Sequence, residues 1–224
     1  MEISIRNITK HFGKKQVITD LSFDAGDGKL VGILGQNGSG KSTLFAVLTG
    51  LLKGQGSFLC DGVDLMKRSS LRAKTVGFVP QSPPLIDELS VKDNLRLWYS
   101  REAMLASLQD GCLKMLGIDE FLNMPVSKLS GGMKKRLSIG CAIAHNPRVL
   151  LLDEPTSALD LLCKQRIYDY LHAFCEQGGL VVMATHDVHE LAQCDDLYLL
   201  KNGRVQLYTA SRDAESLVGQ LRDE

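Results

Sequence analysis

Apolar and polar positions alternate in short runs near the start of the chain, at Ile3-Ser4-Ile5 and Leu21-Ser22-Phe23, with Gly and Asp turns between them. A period of two predicts half-buried strands. Ser57 to Val63 carries Asp61-Gly62, a two-residue hairpin signal, and Lys201-Asn202-Gly203-Arg204 carries a second. An antiparallel β layer follows from these segments. Elsewhere the apolar residues run together, in Leu30 to Leu34, in Thr75 to Val79 before Pro80, in Val149 to Leu152 and in Leu180 to Ala184. Unbroken runs of this length predict a mostly parallel sheet covered on both faces, with helices as crossovers. Between Ser82 and Asn146 helical periodicity takes over, with helices expected at Val91 to Ser100, Glu102 to Leu116 and Gly132 to Ala144. A last amphipathic helix is expected from Ser211 to Leu221, with Leu217, Val218 and Leu221 on one side. The expected organisation is one α/β domain over 1–224. Its core and β subdomain occupy 1–81 and 147–210, a helical insert 82–146, and a short C-terminal helix 211–224.

The strand-like run Leu30 to Leu34 leads directly into Gly35-Gln36-Asn37-Gly38-Ser39-Gly40-Lys41-Ser42-Thr43. This is the G-x-x-x-x-G-K-[ST] spacing of a phosphate-binding loop in its strand-loop-helix setting. Gly35, Gly38 and Gly40 let the backbone turn so that main-chain N–H groups point at phosphate oxygens. Lys41 opens a helix expected to reach about Leu52, adding its ammonium to the positive helix end, and Ser42 can offer a hydroxyl to Mg²⁺. A nucleoside triphosphate is the ligand this pattern requires. Val149 to Leu152 ends in Asp153-Glu154, two carboxylates at the sheet edge. Consecutive strand positions point differently, so Asp153 is suited to hold Mg²⁺ and Glu154 to orient or deprotonate the attacking water. Leu129-Ser130-Gly131-Gly132-Met133 makes a second anion-ready helix start.

Composition narrows the class without adding chemistry. The 224 residues are 44% hydrophobic and 23% charged, with 26 basic residues against 26 acidic ones. That balance gives no electrostatic support for a nucleic-acid partner, and none is expected. No apolar run approaches the roughly 20 residues of a membrane-spanning helix, and the N-terminus has no signal-peptide h-region. A cytoplasmic chain is expected, unless another protein holds it to a membrane. The six cysteines lie apart with no C-x-x-C pair, so reduced, mostly buried thiols are expected.

Taken in order, these motifs resemble the nucleotide-binding subunit of an ATP-binding-cassette (ABC) transporter, over nearly the whole chain. Gly35 to Ser42 resembles the Walker A motif, Gln81 the Q-loop glutamine, Leu129 to Gly132 the L-S-G-G signature, and Val149 to Glu154 Walker B with its catalytic glutamate. Ser157-Ala158-Leu159-Asp160 resembles the D-loop, and His186 the switch histidine. The resemblance implies the ABC ATPase fold, a P-loop NTPase core with an antiparallel β subdomain and a helical insert, using ATP and Mg²⁺. It implies that Gln81 senses Mg²⁺ and the γ-phosphate, and that His186 holds the γ-phosphate and the water. It also implies a head-to-tail dimer, homomeric or with a second ABC ATPase, in which Ser130 to Gly132 of one subunit faces the γ-phosphate bound by Lys41 of the other. Phe12 stands where an aromatic ring stacks on adenine in such proteins, or packs in the core. Residues between Gln81 and Tyr99, including Pro83, Leu85, Ile86, Leu95 and Trp98, either form a groove for a transmembrane permease subunit or pack the insert together. Two departures stand out: Met133 replaces the usual glutamine, and Gly140-Cys141 stands where Ala-Arg is common. The expected role is an ATPase subunit for export at the cytoplasmic face of a membrane, or alternatively a soluble ABC ATPase in cofactor assembly. Intact Lys41, Asp153, Glu154 and His186 argue against a catalytically dead regulatory cassette.

Overall fold

A computed structural model describes residues 1–211, 216, 217 and 219, with the backbone alone at positions 188 and 189. Glu2–Phe12 (β1) and Lys15–Gly26 (β2) pair as a long antiparallel hairpin. They outrun the short strands expected from alternation, because the register shifts after Ile5, Ile8 and Lys10 and each shift changes which positions face inward. Leu30–Leu34 (β3) is wholly buried and leads through the glycine loop into Lys41–Thr49 (α1). Gln55–Cys60 (β4) and Val63–Asp64 (β5) turn at Asp61 and Gly62, whose φ of 48° and 78° are the left-handed values that a two-residue hairpin needs. The four strands form one antiparallel sheet in the order β2-β1-β4-β5.

Ser69–Thr75 (α2) comes before Val76–Val79 (β6), so Thr75 ends a helix instead of opening a strand. Its hydroxyl donates back to Leu71 O at 2.9 Å, a bond that only a helical turn offers. Then come Val91–Arg96 (α3), Arg101–Asp110 (α4), Cys112–Met115 (α5) and Gly131–Ala142 (α6). The single helix expected over Glu102 to Leu116 is broken at Gly111, which is extended and leaves the Leu113 N–H to be accepted by Ser107 Oγ at 3.1 Å. A Cβ at Gly111 would sit 2.8 Å from Ser107 Cα, so the break also needs glycine sterically. Val149–Asp153 (β7), Leu161–Glu176 (α7), Leu180–Thr185 (β8), Val188–Ala192 (α8), Asp196–Lys201 (β9) and Arg204–Leu207 (β10) complete the described elements. Of the helix expected from Ser211, Leu217 is buried against Leu191 and Leu197, while Val218 and Leu221 lie outside the described residues.

The second sheet has the order β10-β9-β3-β8-β7-β6, parallel except for β10. Its continuous apolar runs are explained by two cores. Leu150, Leu152, Val181 and Met183 pack with Val91, Leu95, Leu137 and Ile167 of the helices, while Val149, Leu151, Leu180 and Val182 pack with Leu44, Phe45, Ile3 and Ile5 on the other side. Each such side chain contributes roughly 1.5–3 kcal/mol by leaving water. The helices of the 82–146 region therefore share a core with the parallel sheet. No disulfide joins any of the six cysteines, five of which are buried. No helix among the described residues is long and apolar enough to cross a membrane.

Candidate active site

Four parallel strands deliver the chemistry at one edge of the sheet. The glycine loop follows β3, Gln81 follows β6, Asp153 ends β7 and His186 follows β8. Ligands of open α/β sheets collect beyond the carboxyl ends of their strands for this reason. A cavity of about 380 Å³ is lined there by Asn37, Gly38, Gly40, Lys41, Ser42, Thr43, Gln81, Asp153, Glu154 and His186.

The loop geometry is glycine-dependent at two points. Gly40 caps α1 in the left-handed region with φ 110°, and no side chain caps the helix, so its first N–H groups are left for a ligand. Gly35 has no room for a Cβ, which would lie 2.6 Å from Ser39 Oγ and 2.7 Å from Leu200 O. Lys41 is buried, and its ammonium donates to Gly35 O at 2.7 Å and Gln36 O at 3.1 Å. Burial pulls its pKa below the ordinary lysine value, against the opposing pull of Glu154 and Asp153. Ser39 Oγ is buried without a partner beside Gly35, and Ser39 is not among the residues that line this cavity. Open helix N–H groups and a buried cation fit a polyphosphate.

Asp153 is buried at the end of β7 and accepts a hydrogen bond from the Ser42 hydroxyl. Burial raises its pKa, with the Glu154 charge adding to the rise, while Ser42, Lys41 and Lys135 lower it. Paired oxygen donors at a carboxylate held at a solvation cost fit a hard divalent cation such as Mg²⁺. Glu154 takes φ 48° and anchors its N–H on Ala184 O at 2.9 Å. A left-handed non-glycine residue costs about 1–3 kcal/mol, and here the turn aims the carboxylate back over the cavity. Its Oε2 accepts from Gln81 Nε2 at 3.2 Å, and its Oε1 lies 3.0 Å from His186 Nδ1. One carboxylate thus gathers both partners.

Ser130, Gly131, Gly132 and Asp160 do not line this cavity. Ser130 and Gly131 are exposed at the start of α6, where Ser130 Oγ accepts the Met133 N–H at 3.3 Å. Asp160 caps α7 by accepting the Cys163 N–H at 2.9 Å. Gly132 packs on Cys163, whose Sγ would be 2.5 Å from an added Cβ. Phe12 ends β1, is 47% exposed and has Lys10 Nζ 4.8 Å from its ring centroid, so it is not core packing. Leu95 is fully buried whereas Trp98 is 61% exposed, which divides two residues that sequence alone treats alike. Met133 packs partly buried on the helical core, and an alanine at Gly140 would require the side-chain ends of Leu113 and Ile118 to move.

Two polar residues beside the site escape sequence reasoning. Glu190 is 1% exposed and accepts from the Thr156 N–H at 3.1 Å and from its hydroxyl, tying α8 to the turn after Glu154. Lys135 is buried inside a Lys-Lys-Arg run that reads as a solvated face. The i, i+3, i+7 series Gly132, Lys135, Ile139 is the signal that marks its side of the helix as inward.

The ABC transporter family model matches residues 18–157. The chain belongs to that family. A Nod factor export ATP-binding protein I from Rhizobium etli is 35% identical over 213 residues, covering 90% of this chain, which spans 66% of that relative's length. A putative ABC transporter ATP-binding protein from Pyrococcus furiosus is 34% identical over 91% of this chain and 78% of its own. Among solved structures, a dimeric post-hydrolysis ATP-binding cassette bound to ADP and Pi superposes with a TM-score of 0.80 at 28% identity, over 93% of this chain and all of that one. This cassette has the ABC ATPase fold, with its parallel core sheet and antiparallel β sheet.

Proposed function

We propose that this ABC cassette is the ATP-hydrolysing subunit of a transporter, working as a dimer that drives export through separate membrane subunits. The observation that carries the reading is the cavity uniting Lys41, Ser42, Asp153, Glu154, Gln81 and His186, while Ser130 and Gly131 are exposed outside it. A monomer then owns two half-sites, and a two-fold pairing completes both at once. Lys41 and the loop N–H groups of one copy bind the phosphates, and the α6 start of the other caps the γ-phosphate. Phe12 gives adenine an exposed ring beside the β1–β2 turn. Asp160, at the start of α7, belongs to the loop that meets the neighbouring copy's nucleotide.

Ser42, Asp153 and Gln81 would hold Mg²⁺, which supplies charge neutralisation for the phosphate oxygens. Glu154 takes the proton of the attacking water as its oxygen bonds to the γ-phosphorus. The bond to the bridging oxygen breaks, and ADP leaves with the electron pair. His186 and Gln81, both against the Glu154 carboxylate, keep it aimed. Charge-assisted contacts from both copies hold the dimer while the γ-phosphate is intact, and hydrolysis loosens them. The helical insert, residues 82–146, carries that movement to a membrane partner, with exposed Ile86, Leu97 and Trp98 as apolar anchors. Export as the direction, and association with the membrane through that partner, are supported by the Nod factor export relative.

The test has two parts. Ser130→Arg is expected to keep fluorescent-ATP binding and to lose phosphate release, whereas Lys41→Ala loses binding itself; unaltered turnover in Ser130→Arg would remove the shared site. Affinity purification from detergent-solubilised membranes is expected to bring down a multi-span partner, and recovery with soluble proteins alone would overturn the transport role.

A further inference from the structure

Lys135 is a charged side chain buried on α6, between Gly132 and Ile139 on the inward side of the helix. It is only 5% exposed, and its ammonium donates to Pro80 O at 3.1 Å and Gln81 O at 3.0 Å. Burying an ammonium is costly unless it is hydrogen-bonded and faced by opposite charge. Burial draws its pKa down, and the carboxylates of Asp153, Glu154 and Glu190 work against that. Methionine would fill similar space without the cost, so the donors themselves need a purpose. Pro80 and Gln81 are the segment leaving β6, and Gln81 Nε2 in turn donates to Glu154 Oε2 at 3.2 Å. At the other end, α6 begins at Gly131 with Ser130 as its cap. Slightly more than one helical turn separates the exposed Ser130–Gly131 start from the lysine.

We infer that Lys135 is a positioning residue: it fixes Gln81 against Glu154 and makes that arrangement depend on where the α6 start sits. An α-helix is stiff over one turn, so a ligand that shifts Ser130 and Gly131 shifts the Lys135 ammonium with them. The two carbonyls follow the ammonium. Closure of the second half-site by a neighbouring copy would thereby set the carboxylate of this copy's own site. The inference rests on the ATPase reading above and adds a residue to which that reading gives no role.

The test is a double-mutant cycle on ATP turnover, with Lys135→Met and Gln81→Ala alone and together. Lys135→Met is expected to lower kcat about tenfold while fluorescent-ATP affinity stays within about twofold. In the Gln81→Ala background the same change is expected to cost less than about twofold, because the side chain being positioned is gone. Equal losses in both backgrounds, or an unchanged kcat, would overturn the link. Lys135→Gln, which keeps an N–H donor, is expected to recover part of the rate and replaces methionine in the cycle if that variant does not fold. Absent turnover in the unmodified protein would sink the ATPase reading instead. The link is then read by hydrogen exchange, where Lys135→Met is expected to speed exchange over residues 81–85 and equal protection overturns it.

Discussion

Replacing Glu154 by Gln changes one group while nearly preserving shape, and the geometry says what should follow. The carboxylate accepts from Gln81 Nε2 through Oε2 and meets His186 Nδ1 through Oε1. An amide keeps one acceptor oxygen for Gln81 but presents an NH₂ to His186, so that pair survives only with Nδ1 as the acceptor, and the amide cannot take a proton from water. Loss of a general base costs about 10²–10⁴ in rate. At about 1.36 kcal/mol per decade this adds roughly 2.7–5.4 kcal/mol to the barrier. Nucleotide binding should not weaken, because Lys41 and the loop are untouched and one negative charge facing the phosphates is removed. Steady-state phosphate release is therefore expected to fall at least a hundredfold, fluorescent-ATP affinity to hold or tighten, and light scattering with MgATP to show a persistent dimer. A fall in kcat of less than tenfold would refute Glu154 as the proton acceptor. Loss of nucleotide binding would show that its main task is to shape the cavity.

Other expectations are structural. Gly140→Ala places a methyl 2.7 Å from Ile118 Cδ1 and 2.9 Å from Leu113 Cδ2. Moving these two buried side-chain ends costs about 1–3 kcal/mol against roughly 1 kcal/mol gained in helix propensity, a net cost of about 0–2 kcal/mol centred on about 1 kcal/mol. A net loss of about 1 kcal/mol should appear in urea unfolding, and an equal or higher midpoint would contradict the steric account. Glu190→Gln tests pH linkage, because burial holds the Glu190 carboxyl above its ordinary value of 4.5, while its bonds to Thr156 and Thr185 oppose the shift. The folded protein binds that proton more tightly than the unfolded chain, so the stability it supplies is full below the unfolded value and lost as pH rises through the folded one. The Gln variant should therefore gain on the unmodified protein as pH rises above the ordinary value of 4.5. A stability difference that does not change as pH rises above 4.5 would discard the linkage.

Much of the site was legible because its constraints are local. A glycine loop between a buried strand and a helix is written in consecutive residues, as are Asp61-Gly62 and Asn202-Gly203, whose left-handed φ values the chain adopts as expected. The runs at β3, β7 and β8 are apolar throughout because both faces are covered, which composition alone reveals. The break at Gly111 was hidden because apolar spacing continues across it, and the lengths of β1 and β2 because bulges reset the alternation.

By itself the sequence determined the phosphate loop, the carboxylate pair, the two-turn hairpin chemistry and the parallel core, since each depends on neighbours within a few positions of the chain. Only the tertiary structure decided that Glu154 gathers Gln81 and His186, residues 73 and 32 positions away. It alone turned Lys135 and Glu190 inward, and split Leu95 from Trp98. Burial and long-range hydrogen bonding belong to the packed arrangement of strands and helices, and no local pattern carries that distance.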